Sequence, residues 1–232
     1  MRVLVTGAAG RVGSVVAAGL MGRHQVRGLD RLEMPQLEDT VVGDLTDYDL
    51  CVRATRGMEA VIHCGGVPSG GAPWEDILPN NIVGTYNIFE AARQEGVRRI
   101  AYASRAGLLG PYPKTQQRTV DMYPRPESYY SVSKVFGESI GYMYSARHDM
   151  EVVSVRIGNF KLERPQPEHP HQLSHGDCVR VFETAITRPG VRYEVVFGVS
   201  DSDWPLYDLE HGRQVIGYDP QDRSQVPMED RQ

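Results

Sequence analysis

Hydrophobic and polar positions along the chain alternate between short apolar runs and longer segments with helical spacing. Short runs rich in β-branched residues predict strands, and apolar residues three and four apart predict helices. Strands that alternate with helices indicate right-handed crossovers and a parallel sheet with helices on both faces. We therefore expect an α/β fold with a doubly wound parallel sheet. The predicted strands are Arg2–Thr6, Gln25–Leu29, Thr40–Val42, Ala60–Cys64, Arg99–Ala103, Glu151–Arg156 and Tyr193–Phe197, and the predicted helices are Gly13–Met21, Ile77–Glu95, Tyr129–Arg147 and Asp177–Thr187.

Composition and charge narrow the class of protein. The chain has 232 residues, enough for one large domain, and its formal net charge of −5 argues against a nucleic-acid partner, which usually meets a basic face. Cys51, Cys64 and Cys178 are widely spaced, which is typical of reduced thiols and not of a disulfide framework or a metal site. A strand is predicted directly after Met1, and no apolar run reaches the roughly 20 residues of a membrane span. We expect a soluble, cytoplasmic protein with no membrane partner.

A glycine-rich turn joins the first predicted strand to the first predicted helix. Its glycines allow a tight turn, a close backbone approach to a pyrophosphate and close packing of the helix on the strand. The helix then presents free backbone N–H groups to the anion. A glycine triplet between a strand and a helix is typical of a dinucleotide site and of the Rossmann fold. The cofactor-binding residues predicted in this turn are Gly7, Ala9, Gly10, Arg11, Val12 and Gly13.

Two acidic residues follow the next predicted strands. Asp30 comes about 20 residues after the glycine turn, where its carboxylate can accept both ribose hydroxyls and would repel a 2′-phosphate. NAD is therefore the expected cofactor, although the adjacent Arg31 softens the preference over NADP. Asp44 is expected beside the adenine together with Leu45, or else as the cap of a helix that begins near Thr46.

The segment after the fourth predicted strand continues the cofactor path. Cys64, Gly65 and Gly66 are small enough to line it. His63, the residue before them, is expected to have a structural role and not a catalytic one.

The C-terminal part of the chain departs from the alternating pattern. Residues 161–172 are rich in proline, histidine and charge, so they predict an irregular loop, either a substrate loop or a plain surface connection. We expect residues 1–160 to form the NAD-binding Rossmann core. Residues 161–232 are expected to form a small C-terminal substrate-binding portion, packed on the core as one globular unit. From Asp219 onward the chain is polar, which predicts a frayed tail.

Tyr130 and Lys134 carry the strongest indication of chemistry. In the predicted helix they lie one turn apart on the same face, so a phenol and an ammonium can serve one reacting centre. A fixed positive neighbour favours the phenolate of a tyrosine, whose ordinary pKa is about 10, and makes it a usable base. By spacing alone such a pair is more often a solvated helix face. Its position after a complete dinucleotide site favours the acid/base interpretation.

These motifs together resemble the extended short-chain dehydrogenase/reductase family, the group of NAD-dependent epimerases and dehydratases. The glycine turn, the Tyr130 and Lys134 pair and Asn81 carry the resemblance, and the chain looks most like the uronate dehydrogenases, from Val3 to about Pro220. The resemblance implies oxidation of the anomeric carbon of a hexuronic acid by NAD. Tyr130 would be the base, and Lys134 would hold the nicotinamide ribose and depress the pKa of the tyrosine.

The same resemblance implies further contacts and a further partner. Asn81 and Ile157 would lie in the cofactor site. Helices such as Ile77–Glu95 and Tyr129–Arg147 would pair across a two-fold axis, giving a homodimer or a higher homo-oligomer.

One position breaks the family pattern. Family members place a serine on the reacting oxygen, but the matching position here is Arg105, and Ser104 lies one residue too early. Neighbouring side chains of an extended segment point to opposite faces, so Ser104 needs a change of register to replace the missing serine. Arg105 is left with four alternatives. It pairs with a substrate carboxylate, adds to the positive field at Tyr130, obstructs the site or points to the surface.

The predicted substrate loop also departs from the family. The resemblance implies an arginine for the sugar acid in this loop, which is shorter here, and Arg164 is the nearest guanidinium. His169 and His171 would bind an anion only when protonated, and are otherwise ordinary loop histidines. Ser69 matches a sugar-contacting serine only with a one-residue insertion. The start of the helix near His175 is a further candidate for substrate contact.

Three functions remain open from the sequence. The first is an NAD-dependent oxidoreductase that oxidises a hydroxyl of a small-molecule sugar acid or related polyol. The second is a nucleotide-sugar epimerase or dehydratase, for which the part after Phe160 is short. The third is an NAD-binding sensor or catalytically impaired family member, suggested by Arg105 and opposed by the retention of Tyr130, Lys134 and Asn81.

Overall fold

A seven-stranded parallel sheet organises residues 1–226, the part of the chain that this computed structural model describes. The strands are β1 (Arg2–Thr6), β2 (Gln25–Asp30), β3 (Asp39–Val42), β4 (Ala60–His63), β5 (Arg99–Arg105), β6 (Glu151–Ile157) and β7 (Tyr193–Gly198). They lie in the order β3-β2-β1-β4-β5-β6-β7, and every neighbouring pair is parallel. The order changes direction between β1 and β4, which is where doubly wound sheets form their ligand crevice.

Helices pack on both faces of the sheet. One face carries α1 (Arg11–Leu20), α6 (His175–Thr187) and α7 (Glu210–Ile216), and the other carries α2 (Tyr48–Thr55), α4 (Gly84–Gln94) and α5 (Tyr129–His148). The short helix α3 (Trp74–Ile77) and a π-helical segment (Leu78–Val83) precede α4, and a 3₁₀ turn (Ala106–Leu109) follows β5. Across residues 1–226, none of these helices combines the length and apolar character that a membrane span requires.

The doubly wound parallel sheet predicted from the hydrophobic pattern is confirmed. Each predicted strand matches an observed one, and β5 runs two residues further than predicted, to Arg105. The long helix predicted over Ile77–Glu95 is interrupted by the π-helical segment, in which the Gly84 N–H bonds the carbonyl of Pro79, five residues earlier. The helices predicted from the hydrophobic pattern do not include α2, α3 or α7.

The predicted fraying of the tail is wrong for the part that the structure describes. Strand β9 (Arg223–Ser224) pairs with β8 (Asp201–Ser202). The backbone N–H groups of Gln221 and Asp222 also donate to the fully buried carboxylate of Asp177, at 2.8 and 3.2 Å. A buried carboxylate needs such donors, so the tail is tied to the start of α6. The rest of the predicted tail, residues 227–232, lies outside the described residues.

The part of the chain after residue 160 extends the same sheet and its cover. It supplies β7, α6 and α7, and side chains of α6 are fully buried against the strands. It also forms a small apolar cluster over the carboxyl edge of β5. That cluster contains Ala106, Leu109, Phe197, Val199, Leu206 and Tyr207.

Helix α5 lies very close to β5. The ring of Tyr102 is fully buried beneath the helix, and a Cβ on Gly137 would lie only 2.0 Å from its Cζ. The next residue of the helix, Glu138, forms a buried ion pair with Arg156 through two hydrogen bonds of 2.9 Å. The Ser104 hydroxyl donates to the same carboxylate at 2.6 Å. These contacts fix on the sheet the helix that carries Tyr130 and Lys134.

Replacing Gly137 by alanine is expected to destabilise the protein. Alanine favours a helix over glycine by about 1 kcal/mol, but the added methyl would overlap the buried ring of Tyr102. Overpacking of this kind costs about 1–3 kcal/mol. Denaturant unfolding should therefore show a lower free energy of unfolding for Gly137→Ala.

The matched control is Gly212→Ala in α7, where the added Cβ would meet its neighbours at ordinary distances of 3.7 Å or more. Its free energy of unfolding should stay level or rise. Equal behaviour of the two variants would contradict the close packing of α5 on Tyr102.

Candidate functional site

A cavity of about 640 Å³ runs along the carboxyl ends of strands β1 to β6. Its walls are the segments that follow these strands, together with the first turns of α1 and α5. Most of the residues predicted from sequence to bind cofactor or substrate meet there. The predicted residues that line the cavity are Gly7, Ala9, Gly10, Arg11, Val12, Gly13, Asp30, Arg31, Asp44, Leu45, Cys64, Gly65, Gly66, Ser104, Arg105, Tyr130, Lys134, Ile157 and His171.

The glycine turn has no room for side chains at two positions. Gly7 has a φ of +68°, and a Cβ there would lie 2.8 Å from the backbone nitrogen of Gly65. A Cβ on Gly13 would lie 2.1 Å from the carbonyl oxygen of Gly7. Gly10 caps α1 without a side-chain hydrogen bond, which leaves the first-turn N–H groups for an anion. This geometry fits the pyrophosphate of a dinucleotide.

The carboxylate of Asp30 faces the same turn from the end of β2. Its two oxygens accept hydrogen bonds from the N–H groups of Ala9 and Leu32, at 3.0 and 3.1 Å. Each oxygen keeps a second lone pair, so the group can also accept from ribose hydroxyls. The neighbouring Arg31 lies 3.8 Å from Asp44, which offsets part of its charge.

Asp44 does not cap the following helix. Its Oδ1 accepts from the N–H of Thr46 at 2.9 Å. Helix α2 begins at Tyr48, and its cap is Asp47, which accepts from the N–H of Leu50 at 3.0 Å. The capping alternative for Asp44 is therefore wrong, and the residue lines the cavity.

Lys134 is buried between two aromatic rings. Its Nζ donates to the carbonyl oxygen of Ala103 at 2.8 Å and lies 5.0 Å from the ring centre of Tyr102 and 5.5 Å from that of Tyr130. Burial lowers the pKa of Lys134 to about 8. The amine is thus still mostly charged at neutral pH, and the carbonyl fixes its position.

Tyr130 stands at the start of α5 with two cations near its ring. Burial raises the pKa of its phenol, and the charge of Arg105 is the strongest influence opposing that rise. The guanidinium carbon of Arg105 lies 5.2 Å from the centre of the Tyr130 ring. The expectation that Lys134 depresses this pKa is not met, because burial raises the pKa and the charge that most opposes the rise is that of Arg105.

The side chain of Arg105 points into the cavity, so the surface alternative is wrong. Its Nη1 donates to the Ser131 hydroxyl at 3.0 Å. The guanidinium lies over Gly107, where a Cβ would be only 2.3 Å from Nη2. Among residues 1–226, no carboxylate pairs with Arg105. A cation with most of its N–H groups free therefore faces the cavity beside Tyr130.

Ser104 does not replace the missing serine. Its hydroxyl donates to Glu138 on the other side of β5, and the residue is only 3% exposed. Successive residues of a strand face opposite ways, so the contact of Ser104 with α5 turns Arg105 toward the cavity.

Two further predicted contacts lie outside the cavity. Asn81 is buried in the π-helical segment, where its amide bonds both backbone groups of Val67 and the hydroxyl of Ser133. It positions the loop after β4 from behind and does not line the cavity, whereas its neighbour Asn80 does. Ser69 is exposed, and its hydroxyl accepts from the N–H of Gly71 at 3.3 Å.

Of the residues predicted in the loop after β6, His171 lines the cavity, and Arg164 and His169 do not. Arg164 is ion-paired with Glu168, and each side chain is 47% exposed. His169 is exposed and stacks on His171, with ring centres 5.6 Å apart. Burial is the main cause of the lowered pKa of His171. Arg164 and His169 are therefore corrected as substrate candidates in this structure.

The start of α6 also stays out of the cavity. The His175 ring stacks on Phe160 with centres 5.1 Å apart, and its Nε2 lies 3.0 Å from the carbonyl oxygen of Lys161. His63 is fully buried between the hydroxyls of Thr6 and Thr85, at 2.6 and 3.1 Å. Burial lowers its pKa to about 3, which supports a structural role.

Several lining residues were missed by sequence reasoning. Asn159 and Phe160 directly follow β6, and the rule that ligands meet the carboxyl ends of strands could have found them. Tyr207 lies in an irregular stretch with no periodic pattern. Its backbone bridge to Arg118 brings it over the end of β5, and no local signal in the sequence indicates that contact.

Comparisons with known proteins agree with this geometry. Residues 3–176 match the model of the NAD dependent epimerase/dehydratase family. The chain is 40% identical to the NAD-dependent glucose-6-phosphate dehydrogenase of Haloferax volcanii, over 96% of this chain and 94% of that protein. It is 38% identical to the uronate dehydrogenase of Pseudomonas syringae pv. tomato, over 97% of this chain and 83% of that protein.

A similar solved structure is a tyrosine-to-alanine mutant of uronate dehydrogenase from Agrobacterium tumefaciens complexed with NAD. It has a TM-score of 0.88 at 33% sequence identity, and the match covers 96% of this chain and 85% of that one. The likeness therefore extends over nearly the whole fold.

The position of Asp30 predicts a measurable preference for NAD over NADP. Asp30→Ser should weaken NAD binding and strengthen NADP binding, because the carboxylate that accepts from the ribose and repels the 2′-phosphate is gone. A hydrogen bond to a charged group contributes about 1.5–3 kcal/mol, so the ratio of the two affinities should move by roughly 10-fold to 100-fold. Calorimetric titration with each dinucleotide measures this ratio.

The control for this experiment is Asp39→Ser, which removes a carboxylate that is ion-paired with Arg27 at the edge of the sheet. Its affinity ratio should stay close to that of the unmodified protein. An unchanged affinity ratio in Asp30→Ser would show that Asp30 does not bind the ribose of the dinucleotide.

Proposed function

The chain belongs to the NAD-dependent epimerase/dehydratase family, and from that premise we propose that it is an NAD-dependent dehydrogenase. Its substrate is a sugar acid or a related polyol, from which it removes hydrogen at a carbon bearing a hydroxyl group. The observation that carries the proposal is the placement of Tyr130 and Lys134 at one end of a cavity whose other end fits a dinucleotide. The similar proteins reported above are NAD-dependent sugar and uronate dehydrogenases, which supports a dehydrogenase over an epimerase or a sensor.

Different residues of the cavity would bind different parts of the cofactor. The glycine turn with its free N–H groups would hold the pyrophosphate, and Asp30 would accept from the adenosine ribose. Asp44 and Leu45 would flank the adenine, while Cys64, Gly65, Gly66 and Ile157 would line the path toward the nicotinamide end. NAD, when bound, supplies the acceptor for the hydride that leaves the substrate carbon.

Tyr130 is the proposed base for the hydroxyl proton. Its phenolate takes the proton as the carbon–hydrogen bond breaks with its electron pair, so the carbinol becomes a carbonyl, and for an anomeric carbon a lactone. The phenol then releases the proton to solvent. Arg105 favours the phenolate by its charge, and Lys134 is held on the Ala103 carbonyl within reach of a ribose hydroxyl.

We further infer that the protein works as a homo-oligomer built through α4 and α5. Large apolar side chains on these helices and on the segment before α4 are left in solvent. The rings of Trp74 and Tyr129 pack at a tilt of 59° with centres 5.6 Å apart, although the residues are 40% and 55% exposed. Exposed apolar clusters of this kind mark protein interfaces. The exposed members are Trp74, Leu78, Val83, Tyr86, Tyr129, Val132 and Tyr142.

Removing the phenol of Tyr130 tests the proposed chemistry. Tyr130→Phe should lower kcat by roughly 100-fold to 10,000-fold, the range that a general base contributes, while NAD binding persists. NADH absorbance with a hexuronic acid measures the rate, and calorimetry measures the binding. Tyr129→Phe is the control, because it alters the neighbouring phenol, which is 55% exposed and does not line the cavity. Comparable rates in the two variants would refute the assignment of the base.

The proposed oligomer is tested by a charge on its apolar face. Light scattering should give the mass of a dimer or larger assembly for the unmodified protein. Val83→Glu should reduce that mass, since an unpaired carboxylate would be buried at the interface. Arg53→Glu, on the outer surface of α2, is the control and should leave the mass unchanged. A monomer at micromolar concentration in the unmodified protein would rule the assembly out.

A further inference from the structure

We propose that Arg105 and Tyr207 together bind the carboxylate of the substrate, beside the reacting hydroxyl. The inference rests on the proposed function and adds which group of the substrate is recognised, and by which residues. Such a site would favour sugar acids, whose carboxylate is bonded to a ring carbon, over neutral aldoses and sugar phosphates.

The loop after β6 offers no cation to an acid group in the cavity. The guanidinium of Arg164 is ion-paired with Glu168 and does not line the cavity. His171 does line it, but burial and the nearby His169 and lysines lower its pKa, so it is neutral at neutral pH. An anionic substrate therefore needs another positive group.

Arg105 is that group. Its guanidinium carries five N–H donors, of which one is used by Ser131. Among residues 1–226, the acidic side chains that line the cavity are Asp30 and Asp44, and both follow strands at the cofactor end. The substrate end thus has an arginine with free donors and no carboxylate to neutralise it. A planar guanidinium of this kind suits bidentate binding of a carboxylate.

Tyr207 supplies a second hydrogen-bond donor to the cavity. The residue is 9% exposed, its ring packs on Phe197 with centres 4.9 Å apart, and it lines the cavity. Among residues 1–226 its hydroxyl forms no hydrogen bond, and the hydroxyl oxygen itself is not fully buried. Because Tyr207 lines the cavity, a ligand bound there can accept a hydrogen bond from this free hydroxyl.

The charge of Arg105 influences both phenols of the site. Burial raises the pKa of Tyr207, and the charges of Arg118 and Arg105 oppose the rise. Arg105 likewise opposes the burial effect on Tyr130. The same guanidinium, 5.2 Å from the centre of the Tyr130 ring, therefore acts on the proposed base and shares the cavity with the free phenol.

The chemistry of a uronic acid suits an arginine beside the proposed base. In its pyranose ring, the anomeric carbon and the carbon that bears the carboxylate flank the same oxygen. A substrate with its anomeric hydroxyl at Tyr130 thus presents its carboxylate nearby, where Arg105 and Tyr207 lie. A sugar 6-phosphate carries its charge further from the ring, and a neutral aldose has none.

The test compares glucuronate, glucose and glucose 6-phosphate as substrates for the unmodified protein and four variants. Arg105→Ser should reduce kcat/KM for glucuronate at least tenfold more than that for glucose, and Tyr207→Phe should raise KM for glucuronate roughly 10-fold, as expected for lost hydrogen bonds to a charged group. The controls are Arg164→Ser and Tyr123→Phe, which alter an ion-paired loop arginine and an exposed tyrosine. Both should stay within about threefold of the unmodified protein.

Several results would overturn the inference. One is an equal loss for glucose and glucuronate in Arg105→Ser, together with a pH profile moved to higher pH, since the arginine would then act only by ionising Tyr130. Another is a preference for glucose 6-phosphate, and a third is a large loss for glucuronate in Arg164→Ser. Thermal unfolding of each variant confirms that it is folded.

A direct binding measurement keeps this inference separate from the proposed function. If no sugar yields NADH, the proposed function fails, and calorimetric titration of glucuronate into the NADH-saturated protein still tests the carboxylate site. Binding that weakens at least tenfold in Arg105→Ser supports the site. Binding that is equal in the unmodified protein and this variant, or absent from both, overturns it.

Discussion

The hydrogen bond from the buried ammonium of Lys134 to the carbonyl of Ala103 joins α5 to the end of β5, and the rest of the site depends on it. The contact requires the helix to lie close to the strand, which Gly137 permits by leaving space for the ring of Tyr102. With α5 in this position, Glu138 accepts a hydrogen bond from the Ser104 hydroxyl. This bond fixes the face of β5 on which Ser104 lies. The next side chain, Arg105, must then face the cavity.

The two ends of the cavity carry side chains of opposite charge, which suit the two proposed ligands. The end near β2 and β3 carries the carboxylates of Asp30 and Asp44, which suit ribose hydroxyls and the adenine edge. The end near β5 carries Arg105, with no carboxylate of residues 1–226 paired to it. The glycine turn between them offers N–H groups to a pyrophosphate. A dinucleotide and a sugar acid laid end to end would meet near Tyr130.

Sequence patterns predicted the features that depend on interactions between residues close together in the chain. Alternating runs gave the parallel strands, and glycine spacing gave the turn around Gly7 and Gly13, since sterics at single residues set both. The sequence also placed Tyr130 and Lys134 on one helix face. The sequence did not predict contacts between segments that are far apart along the chain. The tail is tied down by Asp177, Asn81 lies behind the cavity, and Tyr207 reaches the site through Arg118.

Arg105 shows the limit most clearly. Its sequence position left four alternatives open, because the direction of its side chain depends on which neighbour α5 engages. The structure removes the surface alternative and leaves a guanidinium beside a phenol. The loop after β6 also depends on a contact that the sequence does not show. There Glu168 forms an ion pair with Arg164, the guanidinium nearest to the position that the family resemblance assigned to the sugar acid.

A crystal structure of the Tyr130→Phe variant with NAD and glucuronate bound tests the central claim most directly. The variant retains the cavity but lacks the base, so the substrate should remain intact. The account predicts the carboxylate within hydrogen-bond distance of Arg105 and Tyr207, and the anomeric oxygen next to the ring of residue 130. A carboxylate bound at Arg164 or His169, with Arg105 turned away from the sugar, would contradict it.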